Sequence, residues 1–372
     1  MAEKSFRILV INPGSTSTKV GVFEGDREAL ARTVSHDASR LAEFEGVSEQ
    51  MPYRKETILA ALEEGGIDLS TIDAFVGRGG GLMPLEGGTY EVNDAMLDHA
   101  FRGANGVQHP AQLGSLLAHG FSEEYGKRAF VVNPPDTDEL CDEARMTGVR
   151  GVYRHVHLHA LNLKETAIRH ACSLGRRYDE CNFIVCHIGG GISVSAHEHG
   201  KMVDGFDIVE GEGPMAPTRC GGLPVAGVLD YLEAGHATAE IRRACMKTGG
   251  FVDLLGTSDA IEVTERAARG DEAARRTWEA MLYQINKCIA SMAAVLRGKV
   301  DGILLGGGMV NSDELVQSVK GGCGWIAPVA AYPGEFELEA MAAGAMRVLS
   351  GEEEPKVYTG VPVFQGFHCF ED

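Results

Sequence analysis

No apolar run in this 372-residue chain approaches the roughly 20 residues needed to span a bilayer. The opening Met-Ala-Glu-Lys-Ser lacks the apolar core of a signal peptide, which makes the cytoplasm the expected location. Positive charge is also scarce. Thirty-four Lys and Arg stand against 53 Asp and Glu, a net −19, so neither nucleic acid nor a membrane surface is an expected partner. The nine cysteines are odd in number and include no Cys-x-x-Cys. The pair closest in sequence, Cys181 and Cys186, falls on or beside an apolar strand pattern and reads as reduced, buried thiols. At 44% apolar and 23% charged residues there is no compositional sign of disorder, and the length has room for two domains with full cores.

What the chain does have is glycine turns at the ends of apolar strands. Ile8 to Asn12 breaks at Pro13-Gly14, shows the hydroxyl-rich Ser15-Thr16-Ser17-Thr18, and resumes after Lys19 as Val20 to Phe23. Gly14 can offer a bare amide and the hydroxyls add donors, which suits an anion, phosphate first among them. An ordinary polar hairpin is the alternative for this stretch alone. A second copy then appears. Phe183 to Gly200 overlays the first stretch without a gap, placing His187 on Asn12, Gly189 on Gly14 and Ser193 on Thr18. A third turn, Gly306-Gly307-Gly308, follows Ile303 to Leu305.

Two arginines stand in glycine-rich loops: Arg78 within Gly77 to Gly81, and Arg219 just before Gly221-Gly222. An arginine framed by bare backbone can reach an anion bidentately. Around the first of them the pattern predicts a charged, mostly helical region from Arg32 to Glu64, short strands at Ile72 to Val76 and Ala129 to Val132, and a helix capped by Asn93. His155, His157 and His159 alternate, which on a strand would align three imidazoles, yet no carboxylate or cysteine stands at ligand spacing and helix-like sequence follows. Asp271 to Arg297 is the longest predicted helix, with Trp278, Met281, Leu282, Ile285, Ile289, Met292 and Leu296 on one stripe.

The blocks Asn12-Pro-Gly-Ser-Thr-Ser-Thr-Lys19, Val76-Gly-Arg78-Gly-Gly80, His187-Ile-Gly-Gly-Gly-Ile-Ser193, Ala290 to Val300 and Tyr332-Pro-Gly-Glu335, in that order, resemble the acetate and butyrate kinase family of the actin and hexokinase superfold. The resemblance runs from Ile8 to about Leu349. It implies an α/β chain with a duplicated, ribonuclease H-like two-domain fold and an interdomain cleft. Residues 1–157, completed by a C-terminal helix near 335–350, would form the acyl- and phosphate-binding domain. Residues 158–334 would form the nucleotide-binding and dimerisation domain.

The same resemblance implies roles. Arg78, Arg219, His159 and Asn133 would be catalytic. Asn12, Ser15, Thr16, Lys19, His187 and Gly189 to Gly191 (with Gly190) would hold phosphate, and Gly306, Gly307 and Gly308 the adenosine. Gly80, His109 and Leu158 would line the acyl pocket, and Glu337 with Asp138 would hold Mg2+. Asn133 departs from the family, which carries an Asp there; Asp136 or Asp138 is placed to restore the charge. Gly80 stands where acetate-preferring relatives have a branched aliphatic residue, leaving room for three or four carbons. The implied reaction is reversible phosphoryl exchange between ATP and a short-chain carboxylate, giving ADP and an acyl phosphate, in a homodimer or larger homo-oligomer. A sugar kinase would want an Asp base for a neutral hydroxyl, against which the arginine pair argues; a nucleotide-binding sensor is the other rival.

Overall fold

The computed structural model describes residues 5–106 and 108–370. Among them twelve strands form two sheets. The first six are β1 (Arg7–Pro13), β2 (Ser17–Glu24), β3 (Arg27–Ser35), β4 (Ala74–Gly77), β5 (Thr89–Glu91) and β6 (Arg128–Val132). Next come β7 (Asn182–Ile188), β8 (Ile192–Glu198), β9 (Lys201–Gly205), β10 (Gly302–Gly307) and β11 (Val329–Pro333), with β12 (Lys356–Val357) last.

The chain divides into two compact units, Met1–Asp138 with Phe336–Phe367, and Glu139–Glu335 with His368–Asp372. Residues 139–157 go with the second unit, unlike the 1–157 division read from sequence. Cys141 N–H donates to Val203 O, and Arg154 pairs with Asp204 and Glu212, which holds that segment there. The first unit's sheet runs β12-β5-β6-β4-β1-β2-β3 and the second's runs β11-β10-β7-β8-β9. Each contains an antiparallel three-stranded meander whose first strand continues into parallel neighbours, β4 and β6 in one case, β10 and β11 in the other. The repeat seen in the sequence is therefore a repeat of topology.

Its register is not gapless. Asn12 pairs with Lys19 across the first hairpin, whereas His187 pairs with Ser193 across the second. The second turn is one residue shorter, so Ser193 occupies the place of Lys19, not of Thr18. Of the helical region expected from Arg32 to Glu64, the helices Ala38–Leu41 and Met51–Glu64 form, whereas β3 runs through Ser35 at its start. β3 is an edge strand exposed along most of its length, so it shows no apolar alternation.

Central strands have both faces covered, and Ile8 to Ile11 on β1 are all fully buried. Helix Glu337–Ser350 packs on β1 and β6, while helix Leu113–Tyr125 packs on β4. In the second unit, helix Glu272–Val295 buries the predicted stripe.

Burial disfavours the charged ring at three histidines, His36 and His197 being buried and His170 half-buried. Burial, then the Arg54 charge, takes His36 from 6.5 down to about 4. Burial also lowers His170 and, with Lys164, takes His197 well below its ordinary value. An unfolded chain protonates these rings below about pH 6.5 and the folded one does not, so stability is full above that pH and falls as pH drops through it. Each ring adds a slope of at most about 1.4 kcal/mol per pH unit. Urea unfolding at about pH 7 and about pH 5 should show a clearly lower midpoint at the acid end; equal midpoints would contradict the neutral-ring assignment.

Candidate active site

In the first unit the β1–β2 turn closes through Gly14 N–H donating to Ser17 O at 2.7 Å, leaving Ser15 and Thr16 exposed at its tip. Below the tip, Asn12 and Lys19 face one another in register. Both reach Glu337: Asn12 Nδ2 donates to Oε2 at 2.7 Å, and Lys19 Nζ lies 4.0 Å from the same atom. Glu337 opens its helix, where the N-terminal dipole favours an acid.

Arg78 leaves β4 through a close backbone crossing. A Cβ on Gly77 would lie 2.0 Å from Gly114 O, so only glycine lets the strand end meet the start of helix Leu113–Tyr125. Gly79, Gly80 and Gly81 then all take positive φ, a path that other residues rarely follow. The arginine is 7% exposed, and its Nη1 donates to Asn133 O at 3.4 Å. Burial lowers its pKa, while the Glu337 and Asp136 carboxylates oppose that.

Asn133 sits at φ 38°, a left-handed position that Asn tolerates, and its Oδ1 accepts the Gly88 N–H at 2.7 Å. Its side-chain oxygen serves the loop's shape, and the loop acid whose charge acts on Arg78 is Asp136. Asp138 is buried, with its N–H donating to Leu85 O. His109 caps the short turn Pro110–Gln112, Nδ1 accepting the Ala111 N–H at 3.1 Å. A Cβ on Gly80 would meet that turn, 3.3 Å from Gln112 N and 3.4 Å from Ala111 Cβ. His109 and Gly80 thus border one small neighbourhood.

In the second unit, His187 is the penultimate residue of β7 and its ring stacks on His159, centroids 4.2 Å apart. The buried Ser193 hydroxyl holds His159 twice, at Nδ1 (2.8 Å) and at the backbone N–H (3.2 Å). In the turn that follows, Gly190 O accepts from both N–H and Oγ1 of Thr218. The Arg219 guanidinium lies against Gly191, where a Cβ would stand 1.6 Å from Nη1. Its Nε and Nη1 are buried with no hydrogen-bond partner among the described residues. Burial lowers the Arg219 pKa and the nearby Asp207 opposes it; Asp207 is itself fixed by the Val209 and Glu210 amides and by His157.

Other expectations change. Leu158 is 2% exposed and packs in the core against Gly205, so it is a core residue and not a pocket wall. Gly307 is required by packing, since a Cβ there would lie 2.4 Å from Ile188 O; only Gly308 of that trio faces open space. Residues His155 to His159 form no strand, and among the described residues no three His, Cys, Asp or Glu are grouped to hold a metal. Sequence reasoning missed Arg54, Thr218 and the role of Asp207. Thr218 and Asp207 lie beside quoted motifs, and that adjacency was the only signal for them. It also missed that Cys220 and Cys245, distant in sequence, bring their sulfurs to 3.8 Å.

The acetokinase family model matches residues 148–322. Two Clostridium botulinum proteins named "Probable butyrate kinase" are each 44% identical over 355 residues, covering 95% of this chain and all of the relative. A Porphyromonas gingivalis acetate kinase structure superposes with a TM-score of 0.77 at 20% identity, covering 93% of this chain and 100% of that one. A Francisella tularensis propionate kinase gives 0.68 at 18% identity, over 91% and 98%. These structures share the fold, the duplicated actin- and hexokinase-like one. The chain belongs to the acetokinase family.

Proposed function

We propose that the chain transfers the γ-phosphoryl group of ATP reversibly to a short-chain carboxylate, butyrate above all, giving ADP and the acyl phosphate. One observation carries the reading. Arg78 and Arg219 are largely buried cations in glycine-framed loops, and neither makes a direct ion pair among the described residues. Holding desolvated positive charge in reserve is costly unless an anion arrives to meet it.

A carboxylate is ionised at neutral pH, so its attack needs no general base. What remains is to bring two anions together and to steady charge on the equatorial oxygens of the moving group. Asn12, Ser15, Thr16 and Lys19 are the phosphate holders of the first unit, and His187 with Gly189 to Gly191 are those of the second, each set on its own strand-turn-strand hairpin. Arg78, Arg219 and His159 steady the group in transfer, and Gly308 leaves space beside the nucleotide. Magnesium keeps most of its waters and commonly takes only one or two protein carboxylates, so it needs no larger cluster than the described residues hold. The Glu337 carboxylate beside Asn12 and Lys19 fits; magnesium bound there would neutralise phosphate charge. A homodimer in the cytoplasm is the setting that the family implies.

Hydroxylamine trapping of the acyl phosphate across acids of two to five carbons tests this. Two extra buried methylenes at about 0.8 kcal/mol each predict roughly 15-fold higher kcat/KM for butyrate than for acetate. No hydroxamate with any acid would overturn the reading in favour of a nucleotide sensor. A second prediction concerns the missing family acid. Because Asp136 already acts on Arg78, Asn133→Asp should change kcat by less than about threefold, whereas Asp136→Asn should lower it about 10- to 100-fold. The reverse order in steady-state rates would show that the charge lost at Asn133 was never replaced.

A further inference from the structure

Arg54 lies outside every motif of the reaction, yet it is fully buried, on helix Met51–Glu64. Among the described residues all its hydrogen-bond partners are neutral oxygens. Nη2 donates to Ser15 O (3.3 Å) and Gln50 Oε1 (3.0 Å), and Nε donates to the same Gln50 oxygen (3.1 Å). Nη1 donates to Ser17 O (3.3 Å) and Thr18 Oγ1 (3.1 Å). Thr18 Oγ1 also meets His36 Nε2, and the His36 N–H donates to Thr16 O at 2.9 Å. Three consecutive carbonyls of the β1–β2 turn, Ser15, Thr16 and Ser17, are thereby held by donors from the body of the unit.

A turn that grips phosphate has to turn its carbonyl dipoles away from the anion and leave amides and hydroxyls facing it. A buried cation with no carboxylate beside it also biases that turn toward anions. The second unit uses a parallel device, with Thr218 occupying Gly190 O in the corresponding turn. We propose that Arg54 is a positioning residue for phosphoryl transfer: its guanidinium holds the Ser15 and Ser17 carbonyls inward, so that the turn presents donors to the nucleotide's phosphates. This rests on the reading of that turn as a phosphate holder.

The test is steady-state kinetics on the full chain, with ATP and butyrate varied separately and folding checked by circular dichroism. Arg54→Gln should lower kcat/KM for ATP about 100-fold, as misplacement of a binding element does, with KM for butyrate within about twofold of wild type. Arg54→Lys should recover about a tenth of the wild-type value, because an ammonium keeps the charge but cannot fork between two carbonyls. Should Arg54→Gln fail to fold, Gln50→Met leaves the guanidinium but removes the acceptor that orients it; a loss of about 5- to 10-fold, on ATP alone, is expected. A folded variant with kcat/KM for ATP within about twofold of wild type would overturn the proposal, as would equal losses on both substrates. Ser15→Ala combined with Thr16→Ala separates the two ideas. If that double variant loses ATP affinity while Arg54→Gln is silent, Arg54 alone is misassigned; if both are silent, the turn does not hold phosphate.

Discussion

Replacing Arg78 with alanine should lower kcat/KM about 1000-fold while the chain still unfolds cooperatively, and Arg219→Ala should do the same. Each guanidinium is buried beside carboxylates that do not bond it directly: Glu337 and Asp136 for Arg78, Asp207 for Arg219. Removing either cation leaves the acids beside it uncompensated, and negative charge there opposes an arriving anion, so the loss exceeds that of one hydrogen bond. Lysine should rescue poorly, since a point charge cannot present the planar fork that spans two phosphoryl oxygens. Hydroxamate formation gives the rate and thermal unfolding gives the fold. Wild-type turnover in either alanine variant would refute its assignment.

The second large effect comes from a single methyl group. In Gly191→Ala the new Cβ would stand 1.6 Å from Arg219 Nη1 and 2.3 Å from Cζ, so the guanidinium has to leave its seat. The obstacle is the far end of a flexible side chain, and the side chain can swing away. Unfolding free energy should change by less than about 1 kcal/mol while kcat falls about 100-fold, short of the loss expected on removing the arginine because the displaced guanidinium keeps its charge nearby. Gly307→Ala is the contrasting control. There the Cβ meets the Ile188 backbone at 2.4 Å on a residue at φ 99°, and the chain cannot yield cheaply. That variant should lose about 3 kcal/mol of stability. A Gly191→Ala enzyme with normal kcat would show that the seat on Gly191 does not matter to the chemistry.

Features with a local physical cause were readable before any coordinates. The buried run of β1, the Asn93 cap, whose Oδ1 accepts the Met96 N–H, and the apolar stripe of helix Glu272–Val295 all follow from periodicity or capping chemistry. The doubled topology showed in the paired glycine turns. What failed had its cause elsewhere in the chain. β3 has no alternation because it is a sheet edge, and Arg54 looks like any surface arginine on a charged helix until the turn it supports is seen beside it. The one-residue difference between the two hairpins changes no residue type, so only the strand pairing reveals it. Asn133 looked like a weakened catalytic acid, but its side chain holds Gly88 while Asp136, three residues on, bears on Arg78. Leu158 shared a motif with His159, and motif membership says nothing about which side of a loop faces the core.

The central claim is that two reactants are gripped and the phosphoryl group passes between them in one step, with no protein nucleophile. The most direct measurement is the stereochemical course at phosphorus, using ATP made isotopically chiral at the γ-position and analysing the acyl phosphate formed with butyrate. A single in-line displacement predicts inversion of configuration. Retention would require a phosphorylated enzyme intermediate and would contradict the account.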